Sequence, residues 1–326
     1  QEDREEFIKQ FTNIVENRTN IDELVFITQS KAKIVMQLKT INLPNNLVMS
    51  FCVDITQKKV DESNIHMLAY YDALTGLPNR RLLQDRLRQA LVTSKRDNEY
   101  VVLMMLDLDN FKNLNDTMGH DLGDLLLTMV AQRLTLCMRE SDVVSRIGGD
   151  EFIVIAERLG SNLNKALFEA KKIANKLIHE ISQPYPLEKN KPHYFLTCSF
   201  GLTLFKGADF STETLIKQAD LALYQAKNDG RNNYKFFNPK MQEAIQQRAN
   251  MEAALRRAID KHQLRLFCQP QVDHTGKLVG GEILLRWFLE GDRSPVMPSD
   301  FIPLAETSAL IVPIGEWVLE QSLQYL

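Results

Sequence analysis

Cysteine is scarce in this sequence: Cys52, Cys137, Cys198 and Cys268 are the only four in 326 residues. They lie far apart and form no C-x-x-C pair, which argues against a zinc site or a disulfide framework and fits a reducing, cytoplasmic setting. The six histidines make no H-E-x-x-H, and no G-x-x-x-x-G-K-[ST] phosphate loop is present. No apolar run reaches the roughly 20 residues of a membrane span, and there is no signal peptide, so no membrane contact is expected within this segment. Positive charge is not in excess. The net charge of -3 leaves no electrostatic footprint for nucleic acid, and any polyanion must be held by a few placed Lys and Arg. The first residue is Gln1, which leaves room for a longer protein with an anchor upstream.

What is there is an ordinary globular composition, 44% apolar and 25% charged, long enough for two or three domains. The chain is organised around Ser145-Arg146-Ile147-Gly148-Gly149-Asp150-Glu151-Phe152. β-prone runs lie on both sides of Gly148-Gly149, which predicts a hairpin because primed turns need positive φ. Asp150 and Glu151 then sit at its mouth, either as two solvated surface acids or as ligands for a hard cation.

Residues 21–56 read as strands, with Lys33–Leu38 and Leu47–Val53 separated by a turn at Pro44-Asn45-Asn46. The ending Val53-Asp54-Ile55-Thr56 resembles the last strand of PAS sensor domains, so 1–56 is read as the C-terminal part of such a domain. Residues 57–70 form a helical connector. In the region 71–238, helices are predicted at 80–93, 122–138, 163–182 and 212–228, with a loop from Asn110 to Asp121. Leu82, Leu83, Leu87, Ala90 and Leu91 form the apolar stripe of the first helix. Tyr100–Leu106 is a near-continuous apolar run, expected as a central strand buried on both faces. It ends in Asp107-Leu108-Asp109, whose two acids alternate onto one face. Further strands are expected at 194–205 and 234–237. A hairpin interrupts the alternation of strands and helices, which predicts an α/β (α+β) fold with a mixed sheet and flanking helices.

Asp107 at a strand end and Asp150-Glu151 at a hairpin tip converge if their strands are neighbours. Carboxylates without His or Cys suit magnesium, with manganese as the alternative. Magnesium held by few side chains takes its other oxygens from phosphates and water, so a nucleoside triphosphate is the natural partner.

Four separated motifs then carry a resemblance. They are Asp72-x-Leu74-Thr75-Gly76-Leu77-Pro78-Asn79-Arg80, Asp107-x-Asp109-x-Phe111-Lys112-x-x-Asn115-Asp116-x-x-Gly119-His120-x-x-Gly123-Asp124, Arg146-x-Gly148-Gly149-Asp150-Glu151-Phe152, and Ala219-Asp220-x-Ala222-Leu223-Tyr224-x-Ala226-Lys227-x-x-Gly230-Arg231-Asn232. Together they make 71–238 resemble the GGDEF family of diguanylate cyclases. The resemblance implies a sheet like those of nucleotidyl cyclases and polymerase palms. It also implies condensation of two GTP into the bacterial second messenger cyclic di-GMP, with two pyrophosphates released, in a homodimer holding one GTP per subunit. By position it makes Asp107, the Leu108 carbonyl, Asp150 and Glu151 metal ligands, with Asp150 and Glu151 at the catalytic centre. Asn115 and Asp124 are implied to bond guanine, whose acceptor and donors an amide and a carboxylate match. Gly148 and Gly149 let backbone approach the phosphates, which Lys227, Arg231 and Lys112 neutralise. Arg139-Glu140-Ser141-Asp142 matches the family's R-x-x-D inhibitory site for cyclic di-GMP. Read without the family, it is a surface pair.

Residues 239–262 read as a linker helix. From 263 to 326 the chain resembles the start of EAL-family phosphodiesterases, with Glu282-Ile283-Leu284 for the signature triplet, Glu282 as a metal ligand, and Gln269 and Arg286 as substrate contacts. A full (β/α)8 barrel takes about 250 residues, so a truncated, partial barrel unable to hydrolyse cyclic di-GMP is expected. The alternative to an active cyclase is a silent GTP- or cyclic di-GMP-binding module of a hybrid GGDEF-EAL protein whose main activity is cyclic di-GMP phosphodiesterase.

Overall fold

The computed structural model describes residues 22–27, 33–43, 47–187, 192–289 and 294–324. The turn expected at Pro44-Asn45-Asn46 lies outside the described residues. The chain divides into two compact units, with the boundary between Lys235 and Phe236.

The first unit opens with three antiparallel strands, β1 (Asp22–Ile27), β2 (Lys33–Leu43) and β3 (Leu47–Asp54), in the order β1-β2-β3. Helix α1 (Thr56–Tyr70) follows directly. Asp54 accepts a hydrogen bond from the Thr56 amide at 2.9 Å, and Thr56 Oγ1 accepts from the Val35 amide at 2.9 Å. The Asp-Ile-Thr sequence therefore fixes how the strand becomes a helix.

A five-stranded sheet forms the body of the unit, in the order β5-β6-β4-β7-β8. Its strands are β4 (Val101–Leu108), β5 (Val143–Gly148), β6 (Glu151–Ala156), β7 (Cys198–Phe205) and β8 (Tyr234–Phe236). The β5–β6, β6–β4 and β4–β7 pairings are antiparallel. Every residue of β4 is buried, as its unbroken apolar run requires. Val101, Leu103 and Met105 face one cluster with α2 (Arg80–Asp97), α6 (Thr212–Asn228) and Ile153 and Ile155 of β6. Val102, Met104 and Leu106 alternate to the other face and are also buried. Helices α4 (His120–Cys137) and α5 (Leu163–Ile181) bury Leu126, Val130, Leu134, Ala170, Ala174 and Leu177.

Two sequence expectations change here. The loop expected from Asn110 to Asp121 contains a short helix, α3 (Phe111–Met118), before α4. Its two Asn and one Asp are weak helix formers, and only Phe111 and Leu114 are buried, too few to register as a stripe. The strand expected from 194 begins at Cys198. Tyr194 instead exchanges backbone hydrogen bonds with Tyr185, at 2.9 and 2.8 Å, outside the sheet.

The second unit contains α7 (Pro239–Arg256), an antiparallel pair β9 (Leu264–Val272) and β10 (Leu278–Trp287), α8 (Pro298–Thr307) and α9 (Ile311–Leu323). The linker helix stops at Arg256, six residues short of the expected end. The core is small: Leu255, Ala258, Leu264, Trp287, Phe301, Ala305 and Ile314, with Trp287 edge-on to Phe301 at 5.7 Å. Two strands close no barrel.

Candidate functional site

Register builds the site. In the β4–β6 ladder Asp107 stands directly opposite Glu151, and in the β4–β7 ladder opposite Ser199. Alternation continues the Leu103–Met105 face to Asp107, the face that α6 covers. Gly148 pairs with Glu151, so the two turn residues are Gly149 and Asp150, with a register shift at Ile147. Gly149 has φ 52° and Gly148 φ 150°, values that side chains resist. The Asp150 carbonyl accepts the Leu108 amide at 3.4 Å, tying the turn to the end of β4.

The turn is clamped from outside by Arg146 and Asp72, a pair present in the motifs without an assigned role. Arg146 donates Nε and Nη2 to the Gly149 carbonyl at 3.0 and 2.8 Å, and Nη1 to Asp72 Oδ1 at 2.8 Å. Burial pushes the Asp72 carboxyl up, but hydrogen bonds from Thr75 and Arg146 outweigh it and hold it below the usual carboxylate range. Asn79 meanwhile caps α2 through the Arg81 and Leu82 amides and donates to the Ala69 carbonyl at 3.0 Å. The turn-rich segment 72–79 thus joins the end of α1, the start of α2 and the hairpin.

Helix α6 reaches the same place because Gly201 of β7 lets it lie on the sheet backbone. A Cβ there would run into the Ala219 carbonyl and the Leu223 amide. Lys227, in the last turn of α6, is thereby brought to Asp107, with Nζ 2.7 Å from Oδ2. Burial pushes Asp107 up to about 6 against the pull of Lys227, and the charges of Asp150 and Glu151 add to the rise. Glu151 is also raised, first by burial and then by Asp150 and Asp220. Asp220 had no assigned role, and its effect follows from α6 packing over the sheet.

The other expected residues divide. Asp109 does not share the site with Asp107: it is 5% exposed and accepts from Thr197 and Ser199 hydroxyls at 2.7 Å and from the Asn232 amide at 3.0 Å. It lies past the end of β4, where Asn110 turns with φ 58°, so strict alternation no longer governs it. Asn115 is held against Gly123, where a Cβ would run into its Oδ1. That Oδ1 is buried without a hydrogen-bond partner, an acceptor waiting for a donor. Asp124 and Lys112 are exposed. Arg231 lies beyond the end of α6 with φ 59°, not one helical turn after Lys227.

Arg139 and Asp142 do not form a side-chain ion pair. Asp142 accepts the Arg139 amide at 3.0 Å and the Glu157 amide at 3.3 Å. They line a cleft of about 500 Å³ with Leu82, Arg86 and Met138. In the second unit, Gln269 and Glu282 are cross-strand partners, and Arg286 donates to the Leu285 carbonyl at 2.8 Å.

Among the described residues, no group of three His, Cys, Asp or Glu side chains is drawn together to hold a metal ion. Asp107 is engaged by Lys227, and Asp109 is spent inside the fold. The donor set nonetheless fits magnesium chemically: Asp107, Asp150 and Glu151 are hard oxygen donors, the charges of Asp150 and Glu151 disfavour the ionised form of Asp107, and that of Asp150 disfavours the ionised form of Glu151, a repulsion that a divalent cation relieves. Among the described residues no helix is long and apolar enough to cross a membrane.

The family model described as diguanylate cyclase, GGDEF domain, matches residues 69–233, and that of the EAL domain matches 252–326. The bifunctional diguanylate cyclase/cyclic di-GMP phosphodiesterase MucR of Pseudomonas aeruginosa is 40% identical over 260 residues, 79% of this chain and 37% of MucR. The cyclic di-GMP phosphodiesterase PdeR of Escherichia coli is 35% identical over 266 residues, 82% of this chain and 39% of PdeR. The chain thus spans well under half the length of these curated relatives. Among solved structures, the GGDEF domain of TpbB (YfiN) from Pseudomonas aeruginosa is 31% identical, covering 54% of this chain and 99% of that one, with a TM-score of 0.49.

Proposed function

The chain belongs to the GGDEF family of diguanylate cyclases, and on that premise we propose that it condenses two GTP into cyclic di-GMP and two pyrophosphates. The observation that carries this reading is the register that sets Glu151 opposite Asp107, with the Gly149-Asp150 turn between strands and Lys227 beside them. Two GTP-loaded subunits face each other. The 3′-oxygen of each nucleotide forms a bond to the α-phosphorus of the other. The bond from that phosphorus to the bridging oxygen breaks, and pyrophosphate leaves with the electron pair.

Asp107, Asp150, Glu151 and the Leu108 carbonyl are the residues that would hold magnesium. When bound, the cation supplies charge neutralisation at the phosphates. Glu151, raised above the ordinary carboxylate range, is poised to take the hydroxyl proton. Asn115 Oδ1 and Asp124 hold the guanine edge, and Gly148 and Gly149 keep the hairpin backbone free of side chains where phosphates approach. Lys227, Arg231 and Lys112 answer the triphosphate charge. Arg139 and Asp142 line the site at which product restrains the enzyme, and residues 1–56 are the end of a PAS-like sensor.

A second reading is a non-catalytic module that binds GTP and regulates phosphodiesterase activity elsewhere in a longer protein. It is favoured by the phosphodiesterase among the relatives and by the segment 252–326 that matches the EAL domain. Incubation of the purified chain with GTP and magnesium, followed by chromatography for cyclic di-GMP, separates the two. Absence of product after bound nucleotide has been cleared and dimerisation enforced would overturn the first reading.

A further inference from the structure

Lys227 Nζ lies 2.7 Å from Asp107 Oδ2, with the side chains 33% and 12% exposed. The contact is built in. Gly201 sets the height of α6 over the sheet, so the helix carries Lys227 to the strand end. Beyond the helix, Asn233 Nδ2 donates to the Ala226 carbonyl at 3.0 Å, and the Asn232 amide donates to Asp109 Oδ2 at 3.0 Å. The segment on either side of Lys227 is thereby anchored to the same strand end as Asp107. The ammonium occupies one oxygen of a carboxylate in the proposed metal set.

We propose that Lys227 is a resident counter-cation at Asp107, which a divalent metal can replace only when a triphosphate takes the ammonium away. The inference rests on the nucleotide-binding reading above and deepens it, adding a rule for how the site fills. A magnesium ion binds a carboxylate oxygen at about 2.1 Å. It must therefore displace the ammonium from Oδ2 or take the other oxygen and sit close to a like charge, and both oppose binding of metal alone. A triphosphate reverses this, because it offers the lysine a new anionic partner and frees Asp107. Coupling of this kind is reciprocal: the nucleotide improves the metal site by the same factor as the metal improves the nucleotide site. The device prevents the acidic hairpin from holding free metal without substrate.

The test measures Mn2+ binding to the nucleotide-free protein by electron paramagnetic resonance and titration calorimetry at about pH 8, where carboxylates are ordinarily ionised. Wild type and Lys227→Arg, which keeps the charge, are expected to bind Mn2+ weakly. Lys227→Met and Lys227→Gln are expected to bind it at least about tenfold more tightly, within the usual range of coupling. Lys171→Met, on the exposed side of α5, controls for loss of one positive charge and is expected to behave as wild type. Either neutral variant, provided circular dichroism shows it folded, decides the matter. Mn2+ affinity equal to wild type in a folded neutral variant overturns the proposal, as does an equal gain in Lys171→Met. A separate titration with a non-hydrolysable GTP analogue and Mn2+ tests the underlying reading. If wild type binds that analogue while the neutral variants show no metal gain, the counter-cation fails and nucleotide binding stands. If wild type does not bind the analogue, nucleotide binding fails.

Discussion

At the scale of single residues, Asp107 opposes the stability of the fold that presents it. Asp107 titrates at about 6 in the folded chain against an ordinary value of 3.8, because burial and the neighbouring acids disfavour its charge. A raised folded value means that the native state binds the proton more tightly than the unfolded chain. The resulting penalty is absent below about pH 4, grows as the pH rises towards 6 and is complete above it. We therefore expect Asp107→Asn to stabilise the metal-free protein at pH 7.5 by on the order of 2 kcal/mol, since Asn removes the charge but leaves an oxygen for Lys227. The gain should vanish near pH 4 in urea denaturation, and a gain that persists there would contradict the electrostatic origin. Asp150→Asn tests function instead. The variant should keep its melting temperature and lose cyclic di-GMP synthesis by at least about 10³-fold, as removal of a directly acting charged group does.

At the scale of elements, what was legible in the sequence is what depends on neighbours along the chain. The glycines at 148 and 149 with β-prone flanks announced the hairpin, the apolar run 100–106 announced the central strand, and the stripe of Leu82, Leu83, Leu87, Ala90 and Leu91 announced α2. Other features depend on partners far away in sequence and were not readable. Asp109 and Asp107 look alike as a D-x-D pair, yet one is consumed by Thr197, Ser199 and Asn232 while the other meets Lys227. The height of α6, which decides that meeting, depends on Gly201, a residue no motif singled out. Gly201→Ala should force the helix off the sheet, because its Cβ would meet backbone atoms that cannot turn aside. We expect a loss of about 1–3 kcal/mol, as for other overpacked cores, with cyclase activity falling further than the melting temperature because Lys227 moves. The Arg139–Asp142 turn gives a similar warning. Asp142 holds two backbone amides, so Asp142→Ala should cost about 1–3 kcal/mol whatever it does to product inhibition. Arg139→Ala is the cleaner probe, because Asp142 bonds the Arg139 backbone amide and not its guanidinium. It should keep the melting temperature and relieve inhibition by added cyclic di-GMP, and unchanged inhibition would make the turn purely structural.

At the scale of the molecule, the two units stand differently towards their chemistry. The described residues of 236–326 have a small apolar core and one antiparallel pair, and strand β9 is largely exposed. Glu282 and Gln269 face each other with no further strand beside them among the described residues, so this chain should leave added cyclic di-GMP unhydrolysed in magnesium. The first unit presents one set of acids and one lysine, while the proposed reaction joins two nucleotides. Each product then needs two competent copies of the chain, which turns a statement about stoichiometry into a mixing experiment. Asp150→Asn subunits should fold and pair like wild type but bring no functional metal set. When they are added in threefold excess and allowed to exchange, a wild-type subunit finds a wild-type partner about one time in four. Cyclic di-GMP formed per wild-type subunit should therefore fall to about a quarter. Dilution of wild type alone should lower its specific activity as dimers separate. If the variant leaves the wild-type rate untouched and the specific activity is independent of concentration, the hairpin completes its reaction within one chain and the two-copy reading is wrong.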